Sequence, residues 1–118
     1  MIDHIELRTR DLPASVRFYA AVLEPLGYRQ SVDGAAKGFG DARGADFFLV
    51  AGEPADHAHY AFCAPSRAIV RACYEQGSAF NALERAPALT PHVHPNYYAA
   101  YLRDPDGRLV EFTCHEAE

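Results

Sequence analysis

The sequence predicts an α+β protein made of two β-α-β-β-β units, and three observations carry that prediction. First, strand-like and helix-like segments follow in the same order twice, in module one over about residues 1–54 and module two over about residues 57–118. Second, the spacing repeats: His4 stands seven residues before the capping residue Asp11, and His59 stands seven before Ser66. Third, a chain of 118 residues, 49% apolar and 12% aromatic, can bury one sizeable core but not two. Each unit is too small to cover its own sheet, so the two are expected to share that core as one domain over residues 1–118.

In module one, residues 4–8 alternate polar and apolar side chains, the period of a half-buried strand. Asp11 supplies an N-cap, and Pro13 falls in the early helical turn, where a missing N–H costs nothing. Val16, Tyr19, Ala20, Leu23 and Leu26 then recur at helical spacing until Gly27 closes the helix. Residues 28–34, a weaker stretch from about Gly38, and the strongly apolar residues 46–50 read as strands. Glycine and proline punctuate residues 52–56, which read as the linker. In module two, residues 59–63 form a strand, Ser66 caps a helix with Ile69, Val70, Cys73 and Tyr74 on one side, and Gly77 ends it. After a loop come strands at residues 96–102 and 108–114, joined by the tight-turn signal Asp104-Pro-Asp-Gly107.

Composition removes several function classes. The net charge is −5, and the ten arginines that accompany Lys37 are scattered, so no basic stripe offers itself to nucleic acid. No apolar run approaches the roughly 18 residues of a membrane span. Residues 1–8 have neither a basic n-region nor a long apolar stretch, which predicts a cytoplasmic protein. Cys63, Cys73 and Cys114 are odd in number and lack C-x-x-C spacing, so they read as reduced core residues rather than a disulfide framework or zinc ribbon.

Strand phase then separates packing residues from candidate site residues. Ile5 and Leu7 suit the helix-covered face and leave His4 and Glu6 on the other; Tyr60 and Phe62 likewise oppose His59 and Ala61. On the last strand Val110, Phe112 and Cys114 pack, while Glu111, Thr113 and His115 face away. If the strands lie close and the sheet curves, His4, His59 and Glu111 converge. Two imidazoles and one carboxylate leave up to about three coordination positions open, which suits chemistry at an Fe, Mn, Ni, Co or Zn ion better than a structural site. The Pro91-His-Val-His-Pro95 loop reads by default as a solvated loop, with two alternatives: a lid in which His94 donates or accepts a proton, and a second metal site on His92 and His94. His57 and His115 read as surface or supporting groups, with His57 the alternative to His59.

Four stretches, in register from residue 1 to about 115, carry a family resemblance: His4 in Asp-His-Ile-Glu-Leu, the helix start Asp11-Leu-Pro-Ala-Ser-Val-Arg-Phe-Tyr19, His59-Tyr-Ala-Phe62, and Asp104-Pro-Asp-Gly-Arg-Leu-Val-Glu111-Phe. In them the chain resembles the vicinal oxygen chelate superfamily, the glyoxalase/bleomycin-resistance/dioxygenase group. The resemblance implies paired βαβββ modules forming a cupped mixed sheet around one divalent metal ion, with helices on the outside. Carried over, His4, His59 and Glu111 match the usual metal ligands. Tyr101 falls at an active-site tyrosine of ring-cleaving dioxygenases and fosfomycin-resistance transferases, where a phenol can hydrogen-bond a substrate oxyanion. The implied function is a metal-dependent enzyme on a small-molecule substrate, with isomerase or lyase chemistry, ring-cleaving oxygenation or thiol transfer. Glu111 or a metal-bound water serves as base, and Tyr101 and His94 orient or protonate. Open module edges predict a homodimer. Aligning Gly44 with Gly107 sets Phe48 opposite Glu111, so the fourth ligand of glyoxalase I is missing and lactoylglutathione lyase activity is disfavoured. The acidic end Glu116-Ala-Glu118 likewise argues against a phosphonate site. The alternative, motivated by Tyr97, Tyr98 and Tyr101, is a metal-independent module that sequesters a small antibiotic-like ligand.

Overall fold

In a computed structural model of the chain, which describes residues 2–55 and 59–118, the two halves fold to the same plan. Module one runs β1 (Ile5–Thr9), α1 (Leu12–Leu23), β2 (Arg29–Asp33), β3 (Lys37–Asp41) and β4 (Gly44–Ala51). Module two runs β5 (Tyr60–Cys63), α2 (Arg67–Gln76), β6 (Leu83–Leu89), β7 (Tyr98–Arg103) and β8 (Leu109–Cys114). The sheets have matching orders, β1-β4-β3-β2 and β5-β8-β7-β6. In each, the first strand runs parallel to its neighbour and the other pairs are antiparallel. This is the predicted α+β class of paired βαβββ modules.

Both helices start where capping chemistry places them. Asp11 Oδ1 accepts the Ala14 N–H at 3.1 Å, and Ser66 Oγ accepts the Ile69 N–H at 3.2 Å. Each helix then tightens into a 3-10 turn, Glu24–Leu26 or Gly77–Phe80, closed by left-handed Gly27 or Asn81. The buried face of α1 is Ser15, Phe18, Tyr19, Val22 and Leu23, rotated about one residue from the expected Val16/Ala20 stripe. Phe18 outweighs Ala20 as a packing group, and the Ser15 hydroxyl tolerates burial because it lies 2.6 Å from the Thr9 hydroxyl. In α2 the expected stripe holds, with Val70 and Cys73 buried and Ile69 and Tyr74 packed beside them.

Strand β6 lies where the sequence reads as loop. Pro87 interrupts it, two register shifts break its ladder with β7, and it is exposed over most of its length. A proline and bulges are tolerated because this is the sheet edge. The cysteines also divide. Cys73 and Cys114 are buried as expected, but Cys63 is exposed, because it shares the His59/Ala61 phase that faces away from the helices.

One apolar cluster takes in both helices and the helix-side faces of both sheets, including Phe18, Tyr19, Phe47, Val70 and Phe112. Phe47 and Phe62 join the halves edge to face, with centroids 5.3 Å apart. A buried polar clasp adds to this. Asp104 accepts hydrogen bonds from Tyr19 Oη at 2.6 Å and from Arg108 Nη1 at 2.8 Å, while Arg108 Nη2 donates to the Arg8 carbonyl at 2.8 Å. The turn between β7 and β8 is thereby fastened to α1 and β1. Among the described residues no helix is long and apolar enough to cross a membrane.

Candidate functional site

The duplicated register makes the two halves directly comparable. In module one Glu6 pairs with Phe48; in module two Ala61 pairs with Glu111. His4 and His59 each stand two residues upstream of those pairs, so Phe48 and Glu111 are equivalent, as the glycine alignment anticipates. The consequences differ in kind. His4 meets Phe48 edge-on with centroids 5.7 Å apart, whereas His59 brings Nε2 to 3.3 Å from Glu111 Oε2. One strand further in, Gly38 pairs with Phe48 where Tyr101 pairs with Glu111. A Cβ on Gly38 would lie 2.7 Å from the Phe48 ring, so the glycine makes room for that ring. The open face of module one is therefore apolar at the positions that carry polar groups in module two.

Glu111 is only 2% exposed, although its strand phase faces away from the helices. The Tyr97 hydroxyl donates to Oε1 at 2.6 Å, leaving Oε2 towards His59. Tyr101 stands directly across the β7–β8 ladder. Burial, followed by the hydrogen bond to Glu111, holds the Tyr97 phenol above its ordinary pKa; burial and then the carboxylate's charge do the same for Tyr101. Both hydroxyls consequently remain protonated donors at neutral pH. His94 sits one ring further out, edge-on to Tyr97 with centroids 5.5 Å apart. Its Nδ1 accepts the Asn96 N–H at 3.1 Å, which places the proton of a neutral ring on Nε2, 2.7 Å from His115 Nδ1. The loop histidine is thus tied to the end of β8 rather than lying on Glu111.

The structure therefore brings His59, Glu111 and Tyr101 together and leaves His4 apart. His4 is exposed, and its Nδ1 lies 2.6 Å from Asp3 Oδ1. Among the described residues no three His, Cys, Asp or Glu side chains gather as a metal site. β1 and β5 are end strands of two separate sheets, with no ladder between them among the described residues. His4 and His59 do border a common cavity of about 400 Å³, with Tyr28, Asp46, Phe62 and Cys63 in its wall. His57 lies outside the described residues. Sequence reasoning passed over Tyr97 as the partner of Glu111, although it shares the strand phase of Tyr101.

His59 and Glu111 fit one divalent ion as two of its ligands. Bonds of about 2.1 Å at tetrahedral or octahedral angles put neighbouring donor atoms roughly 3.0–3.4 Å apart, which brackets their 3.3 Å separation. The donor set, one imidazole nitrogen and one carboxylate oxygen, suits the borderline ions expected from the sequence.

Solved structures share this fold. A solved glyoxalase/bleomycin resistance protein from Albidiferax ferrireducens superposes with a TM-score of 0.79 at 26% identity, over 96% of this chain and 97% of that one. A lactoylglutathione lyase from Agrobacterium tumefaciens shares the fold with a TM-score of 0.70 at 21% identity, covering 97% of this chain and 92% of its own. The fosfomycin resistance protein FosX from Mesorhizobium loti shares it with a TM-score of 0.70 at 19% identity, covering 96% and 90%. No curated protein matches the chain in sequence. The family's sequence signature nevertheless matches residues 1–112, spanning both repeats and all three candidate ligands, and on that match the chain belongs to the Glyoxalase/Bleomycin resistance protein/Dioxygenase superfamily.

Proposed function

We propose that the protein is a divalent-metal-dependent enzyme acting on a small oxygen-rich substrate, with isomerase, lyase or ring-cleaving dioxygenase chemistry. The observation that carries the proposal is the 3.3 Å approach of His59 Nε2 to Glu111 Oε2, with Oε1 already held by Tyr97. When bound, a divalent ion supplies Lewis acidity towards two adjacent oxygens of a substrate. The chain's own groups do the rest. Tyr97 fixes the Glu111 carboxylate, and Oε2 faces the substrate side as ligand or base. Tyr101 Oη, kept protonated, donates to the oxyanion that develops on the substrate. His94 orients the Tyr97 ring. We further propose a homodimer in which His4 of the partner subunit completes the ligand set. The support is that His4 stays exposed beside Phe48 in its own chain, while the outer edges of β1 and β5 have no partner strand among the described residues.

Elemental analysis of untagged protein tests the reading: about one divalent ion per chain is expected, with affinity lowered at least about tenfold in Glu111→Gln and in His59→Ala. Mixing His4→Ala with His59→Ala chains tests the shared site. A cross-subunit arrangement restores one intact site per mixed dimer, whereas ligation within one chain restores none. A metal-independent binding module is the second reading, supported in that no group of three possible metal ligands gathers among the described residues. Wild-type protein that takes up no ion from added Zn, Mn, Ni or Fe(II) would establish it.

A further inference from the structure

A second cavity, of about 450 Å³, opens beside Glu111 and is lined by His59, Glu84, Arg85, Tyr101, Arg103 and Leu109. It shares two walls, His59 and Tyr101, with the candidate site. The charges in it are unequal. Arg103 Nη2 pairs with Glu84 Oε1 at 3.2 Å and Nη1 donates to the Gly107 carbonyl, so those two side chains neutralise each other. Arg85 lies over the Tyr101 ring, its guanidinium carbon 4.2 Å from the centroid. Among the described residues no carboxylate comes within ion-pair distance of Arg85. The stack fixes the plane of a guanidinium, and apart from its interaction with the Tyr101 hydroxyl the fork of N–H donors is left for an anion. An oriented, charged fork with no anion, at the wall of a cavity that also holds a phenol donor, is half of a bidentate carboxylate site.

We propose that this cavity is an oxyanion subsite in which Arg85 binds a carboxylate, so that the substrate of the neighbouring site is a small carboxylate-bearing anion and not a neutral phenol or ketone. Naming that anion as substrate rests on the metal-site reading above; the anion site itself does not. The layout assigns separate tasks. Arg85 grips the charged end, and Tyr101, held between Arg85 and Glu111, meets the reacting end. Such an anchor also steers an acid towards a chain whose net charge of −5 would otherwise repel it.

The test is calorimetric titration of metal-free protein with benzoate and with its neutral isostere benzamide, at low ionic strength. Binding of benzoate is expected to be at least about tenfold tighter than that of benzamide. Arg85→Met keeps the length and apolar contact of the side chain and is expected to bring benzoate down to the benzamide level. Arg85→Lys, a point charge without the fork, should fall between. An Arg85 Nε–Hε NMR signal that moves with benzoate alone places the contact. Equal affinities for the two probes, no binding of benzoate, or undiminished binding in Arg85→Met would each overturn the proposal. Metal content, measured on the same preparation, is a separate result. Arg85-dependent benzoate binding in a protein that takes up no metal sinks the enzyme reading alone, and a metal-loaded protein indifferent to Arg85 sinks only the anion subsite.

Discussion

Glu111 owes its burial to the residues around it. A carboxylate on a strand face turned away from the helices would ordinarily sit in water; here Tyr97 and His59 approach its two oxygens and Tyr101 closes the third side. The Tyr97 hydrogen bond to Oε1 decides which oxygen remains free. Tyr97→Phe should therefore lower metal affinity about 10–100-fold, read by competition with a chelating dye, while leaving far-UV circular dichroism unchanged. Affinity equal to wild type in that variant would sink the positioning role. Part of this was legible from alternation, because strand phase puts His59 and Glu111 on the face away from the helices; Tyr101 was legible through the family resemblance. The hydroxyl of Tyr97 was not, since phase says which face a side chain takes but not how far it reaches.

At the level of elements, the duplication is best read in what its two copies lack. Helix caps at Asp11 and Ser66 were readable because short-range chemistry fixes them. Strand β6 was not, because Pro87 and the bulges erase the period that would announce it. Neither was the failure of His4 to join His59 and Glu111 in one cluster among the described residues, since the relative placement of two separate sheets leaves no periodic trace in the sequence. The Gly38–Phe48 contact gives a quantitative check. A methyl at residue 38 meets the Phe48 ring at 2.7 Å and Val32 Cβ at 2.9 Å, so Gly38→Ala should cost about 1–3 kcal/mol of stability in urea unfolding. In a Phe48→Ala background much of that cost should vanish, giving a double-mutant coupling of about 1 kcal/mol or more. Additive costs would mean that the ring is not the obstacle.

Across the whole molecule, the clasp of Tyr19, Asp104 and Arg108 decides how the modules are held. The side chains of Asp104 and Arg108 are 0% and 3% exposed, so removing Asp104 takes from a buried guanidinium its 2.8 Å carboxylate partner. Asp104→Ala should lose about 3–5 kcal/mol, measured by reversible unfolding, far more than an exposed pair such as Arg43–Asp41 would contribute. The same clasp predicts the alkaline limit. Burial first, and then the charge of Asp104, push the Tyr19 phenol well above its ordinary pKa; burial and the Asp46 hydrogen bond raise Tyr28 in the same direction. A raised tyrosine pKa favours the folded state fully below the unfolded value of about 10, and that contribution is lost as pH climbs through and beyond it. The melting temperature should therefore hold on the neutral side and fall between about pH 10 and 12. In Tyr19→Phe the fall should be shallower, on top of a lower plateau from the missing hydrogen bond.

Of the three thiols, Cys63 alone is exposed, while Cys73 is buried and pushed up to about 12 by its apolar surroundings and Cys114 is buried as well. Cys63 also stands in the wall of the cavity bordered by His4 and His59. A maleimide fluorophore or nitroxide should thus attach at one defined place without engineering, and its signal would report directly on whatever enters that cavity or on a second chain closing over it.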